Sequence, residues 1–209
     1  MTKKPAKMSF EEAASIPHAA MLALQGIRDA GQLKEGQQIL INGGGGGVGF
    51  FGVQIAKQFD ATVTGVDTGE KLKKMLALGF DAVLDYKKED FTKKGMQYDL
   101  ILDCKTNRSL WKFLKVLKPE GRYVSIGGRS GKLLQMLYMN PLVKLFGKKR
   151  LQMVSLKANQ DLEYIHELYH DNKISCVLDG PYSFDQIPWA VQRFGDGLHT
   201  GKIVIKVTE

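Results

Sequence analysis

The stretch of sequence that decides the fold is Ile39-Leu40-Ile41-Asn42-Gly43-Gly44-Gly45-Gly46-Gly47-Val48-Gly49. A short apolar run enters consecutive glycines, and a helical pattern follows from Phe50 to Phe59. Glycine allows a tight turn and a close approach of the backbone to a phosphate, and the amino end of a helix offers free N–H groups. The spacing Gly44-x-Gly46-x-x-Gly49 therefore predicts a loop that binds a dinucleotide pyrophosphate, although a run of glycines also matches many patterns by chance.

Strand and helix patterns alternate along the rest of the chain. The expected strands are 38–41, 61–66, 82–84, 98–102, 122–126, 151–156 and 201–207. The expected helices are 9–30, which we expect Pro17 to split, 48–59, 70–78, 109–118, 160–170 and 184–195. Most strands are continuous apolar runs, which is typical of a parallel sheet covered by helices on both faces. We therefore predict an α/β protein with a doubly wound, six-stranded Rossmann sheet.

Asp67 is the first independent support for the glycine loop. It follows the second strand and lies 23 positions after Gly44, where roughly 20 are expected for the acid that binds the adenosine ribose. A carboxylate there favours NAD, because it would repel the 2′-phosphate of NADP. Lys71, one helical turn later, could cover the ribose of either cofactor. The alternative is that Asp67 only starts the next helix.

Two sequence signals resemble metal sites. His166-Glu167-Leu168-Tyr169-His170 matches HExxH, in which two histidines bind zinc and the glutamate activates water. The apolar residues Leu162, Ile165 and Leu168 form the expected inward face of this helix, which places both histidines near its polar face. A charged helix surface is the simpler interpretation, and a zinc hydrolase is a remote alternative. The lone His18 is interpreted as a packed or capping residue.

Composition and charge narrow the class of protein. The chain has a net charge of +8, and no segment interleaves arginines with aromatic residues as a nucleic-acid face would. We interpret the lysines as a solvated surface that would favour an anionic ligand. Cys104 and Cys176 are too far apart for a CxxC motif, which fits a reducing cytoplasm. No signal peptide or bilayer-spanning run is recognised, and the apolar stretch 132–146 is interpreted as a lid or subunit contact rather than an interfacial helix.

At this point the chain resembles the medium-chain dehydrogenase/reductase superfamily, in its zinc-independent quinone oxidoreductase-like branch. The segments that carry the resemblance are Ile39–Lys57, Val63–Gly79, Asp99–Ser109, Leu117–Gly128 and Gly201–Val207. The resemblance implies an NAD(P)H-dependent oxidoreductase that passes hydride to a quinone, enone or other carbonyl substrate. It also implies a homodimer through an edge strand, which would be Arg122–Ile126.

The resemblance assigns cofactor contacts by position and leaves the catalytic residues unknown. The pyrophosphate would contact Gly44, Gly45, Gly46, Gly47, Val48 and Gly49. Asp67, Thr68 and Lys71 would bind the adenosine ribose, with Tyr86 on the adenine side. Asp103 and Asn107 would lie on the loop after the fourth strand, and Gly127, Gly128 and Leu156 would face the nicotinamide. No metal ligand is assigned, because the partners that His18 would need are missing.

Relatives of this type carry a GroES-like catalytic domain before the segment that starts here. The division expected for this chain is a remnant of the connection to that domain in 1–25, a dinucleotide-binding domain in 26–175, and a return to the catalytic domain in 176–209. The expected function is therefore that of a truncated oxidoreductase with NAD or NADP as its cofactor. The alternative is a dinucleotide-binding module or sensor without turnover.

Overall fold

The computed structural model describes residues 3–127, 130–146 and 148–207. Its central feature is a six-stranded, fully parallel sheet with the order β3-β2-β1-β4-β5-β6. The strands are β1 (Gln38–Asn42), β2 (Thr62–Asp67), β3 (Ala82–Asp85), β4 (Tyr98–Asp103), β5 (Leu117–Ser125) and β6 (Arg150–Met153). The order reverses between β1 and β4, so the predicted doubly wound Rossmann sheet is confirmed.

Helices cover both faces of this sheet. The helices are α1 (Phe10–Leu24, extended by a π-helical turn at Gln25–Ala30), α2 (Gly47–Lys57), α3 (Lys71–Ala77), α4 (Leu110–Lys115), α5 (Ser130–Phe146), α6 (Leu162–His170) and α7 (Ile187–Gly195). Successive strand residues point to opposite faces, so Ile39 and Ile41 pack under α1, α2 and α6 while Leu40 packs under α4 and α5. Burial on both faces explains why the strands are continuous apolar runs.

Pro17 does not split the first helix, contrary to the sequence-based expectation. A capping box between Ser9 and Glu12 starts α1, and the helix continues through Pro17 to Leu24. Proline in a helix interior removes one hydrogen bond and costs about 3 kcal/mol. Residues on both sides of it, Ile16 and Ala19, are buried in the core, and this packing holds the helix together across the proline.

The expectation that Arg122–Ile126 forms an edge strand is wrong. The residues from Arg122 to Ser125 form the end of β5, which pairs with β4 on one side and with β6 on the other. The edges of the sheet are β3 and β6. The sixth strand is also shorter than expected, because its ladder ends at Met153 opposite Ser125, the last residue of β5.

A second, two-stranded parallel sheet lies in the C-terminal part of the chain. It joins β7 (Leu178–Ser183) to β8 (Lys202–Lys206). The sequence pattern did not predict β7, because Asp179-Gly180-Pro181 has the composition of a turn. Proline is tolerated there since β7 has a neighbour on one side only, and Pro181 falls where the register shifts between Asp179 and Tyr182.

Candidate functional site

The glycine loop connects the carboxyl end of β1 to the amino end of α2. The N–H groups of Gly43 and Gly44 both donate to the carbonyl oxygen of Val66 at the end of β2, at 2.8 and 3.1 Å. Gly43 has a φ of +88°, which favours glycine over any other residue. The loop is therefore fixed to two strands at the point where the sheet order reverses, which is where ligands of this fold bind.

The amino end of α2 faces outward from this loop. Gly46 is its N-cap residue, and Gly46, Gly47 and Val48 are partly exposed. The first N–H groups of any helix have no partner within it, so those of Gly47, Val48 and Gly49 are available to an anion. Gly49 is needed for a different reason, because a Cβ there would lie 2.5 Å from the carbonyl oxygen of Gly44.

Three lysine side chains run over alternate glycines of the loop. A Cβ on Gly43 would lie 2.8 Å from Cγ of Lys105, and one on Gly45 would lie 2.7 Å from Cδ of Lys71. A Cβ on Gly47 would lie 2.5 Å from Cδ of Lys202. The glycines therefore leave room for lysine stems from three distant parts of the chain. This cradle brings cationic side chains to the same place as the free N–H groups of α2.

Asp67 is buried and bonds to the glycine loop itself. Its Oδ2 accepts the N–H of Gly45 at 2.9 Å, and its Oδ1 accepts the N–H of Thr68 at 3.0 Å. The ammonium group of Lys71 lies 3.5 Å from Oδ1 and donates to the carbonyl oxygen of Gly197 at 2.5 Å. Burial lowers the pKa of Lys71, and Asp67 opposes this shift. Both oxygens of Asp67 thus have protein donors, which adds a structural role to the ribose-binding role that the sequence predicts.

A cavity of about 520 Å³ lies on the side of the loop that is expected to hold adenosine, and four cations and two acids are found in its lining. Its lining includes Thr68, Gly69, Lys74, Lys87 and Arg193. Thr68 donates through Oγ1 to Asp85 at 2.8 Å, which holds the turn after β2 against β3. Tyr86 follows Asp85 and is 40% exposed; its neighbour Lys87, rather than Tyr86 itself, lines the cavity.

Asp103 is the centre of a buried hydrogen-bond network rather than an open ligand group. Its carboxylate accepts from Nδ2 of Asn42 at 2.8 Å and from the hydroxyl of Tyr123 at 2.6 Å. Asn42 also donates to Oδ1 of Asn107 at 3.2 Å. Burial and the charge of Asp103 raise the pKa of Tyr123, so the phenol stays protonated and donates. The network fixes the ends of β1, β4 and β5 beside the loop.

The residues expected on the nicotinamide side are described only in part. Gly127 is exposed after β5 with a φ of +76°, and nothing lies within 4 Å of the position its Cβ would take. Gly128 lies outside the described residues. Leu156 is half-buried and packs against the core under α1 and α2. Open space beside Gly127 is compatible with a ligand, and these assignments remain predictions.

The segment between α7 and β8 crosses the glycine loop, a contact that the sequence pattern does not predict. The N–H of Gly201 donates to the carbonyl oxygen of Gly45 at 3.0 Å, and Gly201 forms a bridge with Gly46. Sequence reasoning therefore missed Lys105, Lys202 and His199. The segment Gly201–Val207 carries part of the family resemblance, but the expected division places it with the return to the catalytic domain, and no periodicity links residues so far apart.

His199 is a buried imidazole of this segment that faces the loop. It is 6% exposed, and its ring stacks on Phe194 with centroids 4.7 Å apart. Its Nε2 lies 4.0 Å from the position that a Cβ on Gly46 would take. Among the described residues, Nδ1 has no hydrogen-bond partner. Burial first, and then Lys71 and Lys105, lower the pKa of His199 to about 4, so the ring is neutral at pH 7.

The HExxH match lies on α6 as an ordinary amphipathic pattern. Leu162, Ile165 and Leu168 are buried, as expected, and His170 is exposed beside Asp171. Over the ranges that the structure describes, no group of three His, Cys, Asp or Glu side chains could hold a metal ion. Within those ranges, His166 and His170 therefore have no third ligand. None of the described helices is both long enough and apolar enough to cross a bilayer.

Comparison with known proteins finds a matching family pattern and several oxidoreductases of similar sequence. The sequence pattern of the family described as zinc-binding dehydrogenase matches residues 78–205. The chain is 27% identical to the chloroplast envelope quinone oxidoreductase homolog of Arabidopsis thaliana, covering 98% of this chain and 64% of that protein. It is 32% identical to the 2-methylene-furan-3-one reductase of Solanum lycopersicum, covering 97% of this chain and 48% of that protein.

The fold agrees with these sequence relatives. The quinone oxidoreductase from Coxiella burnetii superposes with a TM-score of 0.87 at 27% identity, covering 99% of this chain and 64% of that structure. The chain thus spans about half to two thirds of the length of the proteins it is similar to. With the reversed strand order, the glycine loop and the matching family pattern taken together, the chain belongs to the zinc-binding dehydrogenase family of the medium-chain dehydrogenase/reductase superfamily.

Proposed function

We propose that this chain holds NAD(P)H for an oxidoreductase that acts on a small carbonyl, enone or quinone substrate. The observation that carries the proposal is the cradle at the glycine loop, where free N–H groups of α2 meet the stems of Lys71, Lys105 and Lys202. A pyrophosphate carries two negative charges, and helix N-termini and lysines both favour such a group. The names of the relatives, which include quinone oxidoreductases and enone reductases, support the same class of reaction.

Each part of the site has a distinct task in this proposal. Residues 44–49 bind the pyrophosphate, with Lys105, Lys202 and Nε2 of His199 directed toward the same loop. Asp67, Thr68, Lys71 and Tyr86 lie at the adenosine side, and Asp103 and Asn107 brace the loop. Gly127, Gly128 and Leu156 are proposed to border the nicotinamide.

The nicotinamide would supply the hydride, and this chain supplies binding and orientation. The buried network around Asp103 keeps the ends of β1, β4 and β5 in fixed positions. The segment from Gly197 to Lys202, in which His199, Thr200 and Gly201 are buried, covers one side of the loop and limits access of water to it. No residue is assigned as a general acid. The proposal carries no zinc ion, in keeping with the zinc-independent branch that the sequence resembles.

We propose that NADPH is the preferred cofactor. The carboxylate of Asp67 is neutralised by the ion pair with Lys71 and accepts two N–H groups, so its repulsion of a 2′-phosphate is reduced. Lys74 and Lys87 are exposed and line the cavity beside Thr68. A 2′-phosphate in that cavity would meet cations, whereas the unphosphorylated ribose of NADH would gain little from them.

Fluorescence titration with NADPH and NADH tests both proposals. Gly46→Asp is the cleanest loop variant, because the nearest atom to its Cβ would lie at 3.6 Å and the new carboxylate would repel the pyrophosphate. It should abolish binding of both cofactors, while Gly195→Asp, in open space on α7, should leave binding unchanged. If the unaltered chain binds neither cofactor at millimolar concentration, the proposed function is wrong.

The preference for NADPH is tested separately. Lys74→Gln/Lys87→Gln should weaken NADPH binding by about tenfold, the size of one lost charge-assisted contact, and change NADH binding by less than about twofold. The matched control is Lys93→Gln/Lys206→Gln, which removes the same charge from exposed positions outside the cavity lining. Equal affinity of the unaltered chain for the two cofactors would contradict the preference. A quinone-reduction assay then distinguishes an oxidoreductase from a binding module without turnover.

We also propose that the chain is divided into a connection to the catalytic domain in 1–25, a dinucleotide-binding domain in 26–175 and a return to the catalytic domain in 176–209. The six-stranded sheet lies wholly within 26–175, and β7 and β8 form their own sheet in 176–209. Helix α1 packs against both of these strands as well as against α2. A cytoplasmic location and a homodimer are proposed from the resemblance. Since β5 is internal, a dimer through the sheet would use β3 or β6, and sedimentation measures whether one forms.

A further inference from the structure

A second cationic cavity lies at the edge of the sheet opposite to the glycine loop. It has a volume of about 730 Å³ and is bordered by the turn before β1 and by the amino ends of β5 and β6. Its cationic lining consists of Lys34, Arg122, Lys148, Lys149 and Arg150, against two acids, Asp99 and Glu120. We call it the amino-edge cleft. The volume is in the range of small-molecule sites, and the charge is concentrated on one side of the molecule.

Both acids of the amino-edge cleft already have partners. Asp99 accepts the N–H of Gln38 at 2.9 Å and the ammonium group of Lys118 at 2.7 Å. Glu120 forms an ion pair with Lys148 at 2.8 Å. Lys148 first, and then Lys34 and Arg150, lower the pKa of Glu120, so this one carboxylate is shared among three cations. Among the described residues, no carboxylate lies within 4 Å of the Arg122 or Arg150 guanidinium, so neither arginine has a direct ion-pair partner there.

The two arginines are placed next to each other by the sheet. Arg122 and Arg150 are register partners on the parallel strands β5 and β6. Like charges on adjacent strands are unfavourable, and burial together with the charge of Arg150 lowers the pKa of Arg122. The side chain of Arg122 nevertheless does not turn away, because it donates to Oε1 of Gln32 in the turn before β1.

The backbone around the arginines is also held in an uncommon conformation. Gln32 and Glu120 have φ angles of +46° and +66°, a region that residues other than glycine rarely adopt. Such local strain together with uncompensated charge is typical of a functional site, where fold stability alone would select other residues. An oxyanion between the two guanidinium groups would remove the repulsion and accept several charge-assisted hydrogen bonds.

We propose that the amino-edge cleft binds a small phosphorylated anion, with Arg122 and Arg150 as its principal ligands. The anion would carry at least two negative charges, because two guanidinium groups and two further lysines, Lys34 and Lys149, border the same space. Lys149 donates to the carbonyl oxygen of Leu114 at 2.6 Å, which holds its stem along the wall of the cleft. This site is distinct from the glycine loop, which lies at the carboxyl ends of the strands.

The test uses the full chain carrying Gly46→Asp, so that the glycine loop cannot take up the probe. Inorganic tripolyphosphate is titrated into the isotope-labelled protein, and amide chemical shifts are followed by NMR. We expect saturable shifts at Gly31, Gln32, Gly121 and Arg122. Adding Arg122→Gln/Arg150→Gln should weaken binding at least tenfold, whereas Lys93→Gln/Lys206→Gln, with the same loss of charge, should change it less than twofold. Saturable shifts that the arginine variant does not weaken, or no saturable shifts in these segments, would overturn the proposal.

Two further measurements separate this site from simpler explanations. If the arginines only supported the fold, Arg122→Gln/Arg150→Gln would lower the melting temperature. We expect an equal or higher one, because the variant removes a repulsion. A single-stranded 20-nucleotide oligomer is titrated in parallel. Binding of the oligomer at the amino-edge cleft without binding of tripolyphosphate would contradict a small-molecule site and point to a nucleic-acid surface instead.

Discussion

The imidazole of His199 shows how a single buried group can make stability depend on pH. Burial holds its pKa at about 4, compared with an ordinary value of 6.5. Between these two values the unfolded chain binds a proton that the folded chain does not bind. The stability that depends on this neutral imidazole is therefore fully present above about pH 6.5 and falls as the pH decreases toward 4.

We expect this group to remove about 2 kcal/mol of stability between pH 7.5 and pH 5, from 1.36 kcal/mol per unit of pKa shift. Urea unfolding of the unaltered chain and of His199→Asn at both pH values measures it. Carboxylates contribute equally to both proteins, so the difference in unfolding free energy between them isolates His199. His170→Asn, at an exposed position, should follow the unaltered chain. An identical pH dependence in His199→Asn would refute the assignment.

At the scale of elements, Gly201 fits a tightly packed position in the connection between α7 and β8. Gly201 has a φ of +76°, and a Cβ on it would lie 2.1 Å from the carbonyl oxygen of Val177. Gly197 in the same connection has a φ of +69° with nothing within 4 Å of its Cβ position. The two glycines therefore share the backbone conformation and differ in the space around them.

Gly197→Ala should destabilise the chain by about 1–2 kcal/mol, the usual cost of a left-handed conformation. Gly201→Ala should cost more and should also weaken NADPH binding, since it displaces the N–H that donates to Gly45. Thermal unfolding and cofactor titration of the two variants measure the difference. Equal effects of the two substitutions would show that the contact with Val177 does not hold the segment in place.

Some helices and strands could be predicted from the sequence and others could not. The strands β1, β2 and β4 and the loop before α2 were predicted because apolar runs and glycines act locally. The internal position of β5 was not predicted. The order of strands in a sheet depends on which distant strands pair, and no local pattern encodes that pairing. Pro17 was expected to break α1 by its local chemistry, but tertiary packing of Ile16 and Ala19 outweighs one lost hydrogen bond.

The candidate site likewise contains residues that the sequence predicts and residues that only the fold brings to the glycine loop. Residues 44–49 and Asp67 follow from spacing alone, and the structure brings them together through the bond from Gly45 to Asp67. Lys105, Lys202 and His199 reach the loop from other parts of the chain, so no local pattern could assign them. The structural role of Asp67, in addition to its predicted ribose-binding role, could not be predicted from the sequence, because it depends on which donors the fold places around the carboxylate.

For the molecule as a whole, the net charge of +8 is not spread evenly. Cations gather at the glycine loop and at the amino-edge cleft, on opposite edges of the sheet. Raising the ionic strength from 0.01 to 0.1 M shortens the Debye length from about 30 Å to about 10 Å. The attraction of an anionic cofactor should weaken accordingly.

We expect the association rate of NADPH to fall on the order of tenfold over this range, because long-range steering is screened. Stopped-flow fluorescence measures this rate. The dissociation rate should change less, since contacts at the loop are short-range. A rate of association that does not depend on salt would mean that the surface lysines do not steer the cofactor.

The bridge between Gly46 and Gly201 joins two residues that the ribosome adds at well separated times. The two residues lie 155 positions apart, and a ribosome adds roughly 5–20 residues per second. The glycine loop is therefore synthesised about 8 to 30 seconds before the segment that covers it. During that interval the growing chain can form its first strands but not the complete candidate site around the glycine loop. Under the proposed function, a cofactor can use the whole site only after Gly201 has been synthesised and has joined Gly46.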